Sequence, residues 1–293
     1  MIKNKDIVSI EKLLDNKKII DKKLLSDSFN INCIKIKTSD NKNYIVKFYK
    51  SKNKNSFNAI RSETNNLIYL NNLKLNFFPK IYSNDDMYMV ISYMNNDGIA
   101  PSKTKDDFLN AIISMHSLSK EGYGFNFDTQ IGGLKQPNNQ QDNWVDFYRE
   151  FRLGYIFELI NSNNSMEKLI NFKIEKLLKN LEDFIPKKPK ASLLHGDLWE
   201  GNILFNNKDF IGFIDPGSFY GHNELEISYL RWFNPVFVDD YFLKKYNDVI
   251  KISKDYLTYE PIYQLYYSLL NVYLWDRKYV NDVKRLLNKV GIN

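Results

Sequence analysis

Apolar and polar positions alternate near the start of the chain and give way further on to helical spacing. Ile34 and Ile36 alternate with Lys35 and Lys37, and Ser39-Asp40-Asn41-Lys42-Asn43 supplies turn chemistry. Tyr44 to Tyr49 reads as the partner strand, so the segment predicts a β-hairpin. Ser56 stands where it would cap a helix in which Ile60, Leu67 and Leu70 recur at helical spacing. Phe77 to Tyr82 and Met87 to Tyr93 read as two further strands about the turn Ser83-Asn84-Asp85-Asp86. From Asp106 onward helices dominate: Phe108, Leu109, Ile112, Ile113 and Leu118 mark one, and Trp144 to Ile160 and Met166 to Phe184 mark two more. A boundary over Met94 to Pro101, with Gly98 and Pro101 in it, divides a small sheet-rich lobe, residues 1–94, from a larger helical lobe, residues 95–293. The predicted class is α+β with two lobes, which also suits the length of 293 residues.

Composition narrows the picture without choosing a chemistry. A hydrophobic share of 43%, 15% aromatic and 26% charged supports a well-buried core and excludes a disordered chain. The net charge of +6 invites a nucleic-acid reading, but the lysines are dispersed among asparagines and isoleucines. The one tight basic cluster, Lys187-Lys188-Pro189-Lys190, reads as a solvated loop, and no basic stripe interleaves with aromatics, so no nucleic-acid partner is expected. A single cysteine, Cys33, cannot form an internal disulfide and points to a reducing, cytoplasmic setting. Met1 to Lys12 lacks the apolar stretch of a signal peptide, and no long apolar run suggests a membrane span.

Candidate chemistry begins with a misplaced charge. Glu63 falls on the apolar stripe of Ile60, Leu67 and Leu70, and a carboxylate on a packed helix face costs several kcal/mol unless paired. Lys47, at the centre of an apolar strand, is the candidate partner. In the helical half, His195-Gly196-Asp197-Leu198-Trp199-Glu200-Gly201-Asn202 runs into Ile203 to Phe205, and Phe210 to Ile214 ends at Asp215. A hairpin about Asn206 to Asp209 would bring Asn202 and Asp215 to one edge, where an amide oxygen and a carboxylate suit a magnesium ion. Asp197, on the loop feeding that hairpin, could orient a substrate hydroxyl and accept its proton. Trp199 either walls a substrate pocket or packs beneath the loop. His195, beside it on the substrate side, reads first as a hydrogen-bonding support of the loop. His116 and His222 read as packing or loop residues, Cys33 as buried filler, and no zinc site is expected.

The order Lys47, Glu63, Asp197, Asn202, Asp215 resembles that of kinases: strand lysine, helix glutamate, base, metal asparagine, metal aspartate. Glycine between His195 and Asp197 resembles the aminoglycoside phosphotransferase and choline kinase branch. More narrowly, His195-Gly196-Asp197-Leu198-Trp199 with Asn202, then Ile214-Asp215-Pro216 with Tyr220-Gly221 and Glu224, resembles the fructosamine kinase family, as do Gly122, Gly124-Phe125, Gln136, Asn138, Trp144, Phe147-Tyr148 and Arg152-Leu153. The resemblance implies the two-lobed protein-kinase-like fold, with a small antiparallel-sheet lobe and a larger helical lobe. It also implies ATP- and magnesium-dependent phosphorylation of the sugar 3-hydroxyl of ketosamines, which destabilises the adduct and serves deglycation. Nucleotide contacts are then expected from Lys47, Glu63 and Ser28, and from Ile91, Tyr93 and Met94 where the last strand meets the boundary. Two features depart from the family's pattern. The segment Leu25 to Asn30, expected as the phosphate-covering loop, has no glycine and carries Asp27, and Asn223 and Glu226 stand where arginine and aspartate are common. A kinase for another small alcohol and a nucleotide-binding pseudokinase are the alternative functions.

Overall fold

The alternating positions become a five-stranded antiparallel sheet in the computed structural model, which describes residues 3–51 and 57–292. Helix α1 (Asn4–Leu13) precedes strands β1 (Ile19–Ser28), β2 (Ile31–Thr38) and β3 (Asn43–Tyr49), and helix α2 (Ala59–Asn72) leads to β4 (Ile81–Asn84) and β5 (Tyr88–Ser92). The spatial order is β1-β2-β3-β5-β4. Ile34, Ile36, Tyr44, Val46, Phe48, Tyr88 and Val90 pack with Ile10 and Leu14 of α1. Because successive strand residues point to opposite faces, Cys33 and Lys47, which pair in register, fall on the other face.

Local chemistry moved three expected boundaries. Ser56 lies outside the described residues, and α2 opens at Ala59 with the Asn58 side chain accepting from the Arg61 N–H at 3.0 Å. The strand expected from Phe77 begins only at Ile81, because Pro79 has no N–H to give a ladder. The Phe77 carbonyl instead accepts from Phe213 N at 2.8 Å. The expected loop from Leu25 is mostly strand: β1 continues to Ser28, and the turn is confined to Phe29 and Asn30, with φ of 49° and 62°. A two-residue turn with both φ positive matches the twist of its flanking strands, so glycine is not required to close it. Asp27 is ion-paired with Lys50.

Further along come α3 (Asp106–Ser117), the short pair β6 (Thr129–Ile131) and β7 (Leu134–Gln136), α4 (Trp144–Tyr148), a π-turn Arg149–Leu153, α5 (Gly154–Asn164) and α6 (Lys168–Lys179). Strands β8 (Ala191–Leu194), β9 (Ile203–Asn206), β10 (Asp209–Phe213) and β11 (Phe219–His222) follow, then α7 (Asn223–Phe233), α8 (Asp240–Val249), α9 (Tyr256–Leu274) and α10 (Val280–Val290). The chain divides into two units. The first holds the residues through Ala100 together with Thr129–Lys135 and Asn202–Gly217, and the second holds Pro101–Asp128, Gln136–Gly201 and the residues from Ser218.

Within the first unit the β9–β10 hairpin is fastened by Asp97, whose N–H donates to Phe205 O at 3.2 Å and whose carboxylate accepts from Asn207 N at 2.9 Å. Gly212 permits the close approach of β10 to Phe77, since a Cβ there would stand 2.3 Å from the Phe77 oxygen. The second unit is built on aromatic residues: the Trp144 indole donates to Tyr263 Oη at 2.8 Å, and Phe147, Tyr148 and Phe219 are buried around it. Arg152, at the π-turn, is buried with them and stacks on Phe219 at 3.8 Å, while its guanidinium donates to Pro137 O at 2.7 Å and Asn138 Oδ1 at 2.6 Å.

Candidate active site

The charge that the helical stripe left unexplained finds its partner in the first unit. Lys47 Nζ lies 2.7 Å from Glu63 Oε1 and 2.6 Å from Asp215 Oδ1. The Lys47 and Glu63 side chains are only 10% and 6% exposed, whereas Asp215 is 39% exposed. Burial pulls the Lys47 amine down, but the charges of Asp215 and Glu63 outweigh it and hold the amine above its ordinary value. Burial lifts the Glu63 carboxyl, and Lys47 opposes that rise. The amine therefore stays charged, fixed by a buried glutamate on one side and by a more exposed aspartate on the other.

Asp215 reaches this position through the predicted hairpin. Asn206 pairs with Asp209, the turn residues Asn207 and Lys208 take φ of 50° and 68°, and Phe213 pairs with Ile203. Ile214 N donates to Asn202 O at 3.0 Å, closing the open end of the hairpin. Asn202 and Asp215 are thus neighbours of one hydrogen bond at one edge, with Asp215 at φ 57°. Among the described residues no group of three or more His, Cys, Asp and Glu side chains could hold a metal. One amide and one carboxylate suit a hard cation that takes its remaining ligands from water and phosphate. Ile91 is buried and pairs with Ile45 on the face that carries Lys47. Tyr93 receives Lys35 Nζ 3.7 Å from its ring centroid. Met94 is half-buried, and Ser28 pairs with Ile31 at the tip of the β1–β2 hairpin.

The second unit holds the loop that carries Asp197. Strands β8 and β11 pair antiparallel, Leu194 opposite Phe219, so the loop leaves the end of a buried strand. His195 is fully buried, and its Nδ1 accepts from Asp197 N at 3.2 Å, which fixes the turn through Gly196, at φ 87°. The Tyr229 hydroxyl donates to Asp197 Oδ1 at 3.3 Å. Trp199 is 36% exposed and packs on Phe233 at 5.7 Å between centroids. Its ring covers Gly201 so closely that a Cβ there would lie 2.3 Å from the indole.

Two supports of this loop escaped the sequence reading. Glu226 accepts from His195 N at 3.0 Å and from Gly196 N at 2.8 Å, and His116 Nε2 lies 2.8 Å from the same carboxylate. Burial works to raise the Glu226 carboxyl, but the His116 hydrogen bond leads the opposing effects and holds it below its ordinary range. His116 is in turn set by Tyr246 Oη, 2.7 Å from Nδ1. Glutamate in place of the family's common aspartate thus supports the loop before Asn202. The second support is Tyr229. Glu226 carries a weaker signal than Glu63: of its apolar neighbours Leu225, Ile227 and Leu230, only Leu230, four residues on, shares its helical face.

A model of the fructosamine kinase family matches residues 4–292. A probable ketoamine kinase of Enterococcus faecium is 32% identical over 202 residues, 67% of this chain and 71% of that protein. The crystal structure of a Thermobifida fusca protein assigned as a fructosamine-3-kinase superposes with a TM-score of 0.86 over 99% of both chains at 20% identity. An aminoglycoside phosphotransferase solved with ADP gives a TM-score of 0.63 over 97% of both chains at 17% identity. These two likenesses show the two-lobed protein-kinase-like fold. No helix among the described residues is long and apolar enough to cross a membrane.

Proposed function

The chain belongs to the fructosamine kinase family, and from that premise we propose that it moves the terminal phosphoryl group of ATP to the 3-hydroxyl of a ketosamine through Asp197, Lys47, Asn202 and Asp215. Family membership makes it an ATP-dependent phosphotransferase acting on ketosamines. The observation that supports the residue roles best is Lys47, buried and held between Glu63 at 2.7 Å and Asp215 at 2.6 Å. A lysine so placed is a fixed cation for the α- and β-phosphates, anchored from the helix side by Glu63.

Asn202 and Asp215 would hold magnesium, which when bound neutralises phosphate charge. Asp197 accepts the proton of the sugar hydroxyl as its oxygen forms the new bond to phosphorus, and the bond from phosphorus to the β-phosphate oxygen breaks to leave ADP. His195, shut off from solvent, holds the loop. Trp199 offers a face on which a sugar joined to amines of varied size can stack. Cys33, the chain's one cysteine, accords with a cytoplasmic setting. Purified protein with ATP and magnesium should phosphorylate ribulosamine or fructosamine derivatives in preference to choline, homoserine and aminoglycosides. The phosphate should map by NMR to the 3-oxygen, with amine released on standing. Turnover of an aminoglycoside or choline with none on any ketosamine would overturn this reading.

A further inference from the structure

Glu226, Tyr229 and Phe233 lie on one face of α7 at spacings of three and four, and they meet the Asp197 loop in chain order. Glu226 holds the N–H groups of His195 and Gly196, Tyr229 donates to Asp197, and Phe233 packs on Trp199. The helix thereby touches the loop's backbone, its carboxylate and its aromatic side chain at three successive points. Resting on the reading of Asp197 as the base, we infer that Tyr229 is a positioning residue for it: its hydroxyl holds Oδ1 and so sets the rotation of the carboxylate.

Tyr229 is equipped for this and little else. Its ring lies face to face on Tyr267, 3.6 Å between centroids and 6° from parallel, which fixes the direction of the hydroxyl. Burial, reinforced by the charge of Asp197, raises the phenol well above its ordinary value of 10.0, so it remains a donor and does not compete for the substrate's proton. The 3.3 Å separation is longer than a tight hydroxyl–carboxylate bond. Such a contact restricts the carboxylate's rotation.

Y229F keeps the ring and its stack and removes one oxygen. The variant should lower kcat about tenfold while KM for ATP and for a ribulosamine changes by less than about twofold. Its thermal midpoint should stay close to that of the parent. In a D197A background, where there is no carboxylate to orient, adding Y229F should alter the residual turnover by less than about twofold. The same loss in both backgrounds, or a rise in both KM values together with a fall in thermal midpoint, would overturn the proposal. So would an unaltered kcat in Y229F when D197A is crippled, and that outcome leaves the base intact. Near-normal turnover in D197A would remove the base reading, and this proposal with it.

Discussion

Lys47 is where most of the local physics converges. Its amine is buried, and it stays charged only because two carboxylates share it, so each partner's effect runs through the others. Breaking a buried pair by removing one member leaves an uncompensated charge, at a cost of about 3–5 kcal/mol. K47A and E63A should therefore each lower both stability and turnover. The double variant should lose far less than the two losses combined, because nothing is left for the second change to break. Fully additive losses in kcat/KM would exclude a working pair. Asp197 acts at a different level, since it is placed to touch a proton and not a phosphate. D197N should keep affinity for an ATP analogue and lower kcat by about 10²–10⁴-fold, the usual range for a positioned base. A kcat near that of the parent would remove the role.

Among the elements, α7 and the β9–β10 hairpin do the placing. E226A would strip the acceptor from two buried N–H groups and from His116, and should destabilise the protein by about 3–5 kcal/mol, whereas E226Q keeps one oxygen and should cost less. Comparable unfolding midpoints for the two variants would contradict that account. G201A should push the Trp199 indole aside and raise KM for the ketosamine while KM for ATP holds. Elements of this kind were legible in the sequence to the extent that their signals were local. The α2 stripe and the β9–β10 hairpin were read correctly because periodicity and turn residues lie within a few positions of one another. The apolar residues at Phe77 and Phe78 favour a strand that Pro79 overrides, so the strand starts at Ile81. Glu226 was undervalued because two of its partners are backbone N–H groups, 31 and 30 residues away, which have no sequence signature. Tyr229 was missed for the same reason: its acceptor, Asp197, is 32 residues distant.

The molecule as a whole carries buried titratable groups that oppose one another below neutrality: Glu63 and Glu224, raised by burial, favour the folded chain as pH falls, whereas His222 and Glu226, both lowered, disfavour it. His222 is buried, and burial lowers its pKa from 6.5 to about 3. Glu224 Oε2 lies 3.6 Å from its Nε2, but that carboxylate is already engaged by Tyr259 Oη and by Ser253 N, so burial decides. Between those two values the unfolded chain binds a proton that the folded chain refuses. Stability therefore falls as pH drops below 6.5, by at most about 1.4 kcal/mol per unit from this group. Glu226, held below its ordinary 4.5, adds a second loss further down, as pH falls through its lowered folded value. On the alkaline side the phenols of Tyr148, Tyr263 and Tyr267 are raised by burial well above 10.0. The unfolded chain gives up those protons near 10 while the folded chain keeps them, so stability is lost as pH rises beyond that point. Thermal unfolding followed against pH should show an alkaline loss that opens near 9, where the Cys33 thiol, raised by burial to about 12, is joined by these phenols, and below 6.5 a His222 loss partly offset by Glu63 and Glu224. H222N, which cannot titrate, will lower stability at neutral pH, but its stability should fall less steeply than the parent's between pH 6.5 and 4.5. Equal slopes for H222N and the parent between pH 4.5 and 6.5 would show that another group sets the acid loss.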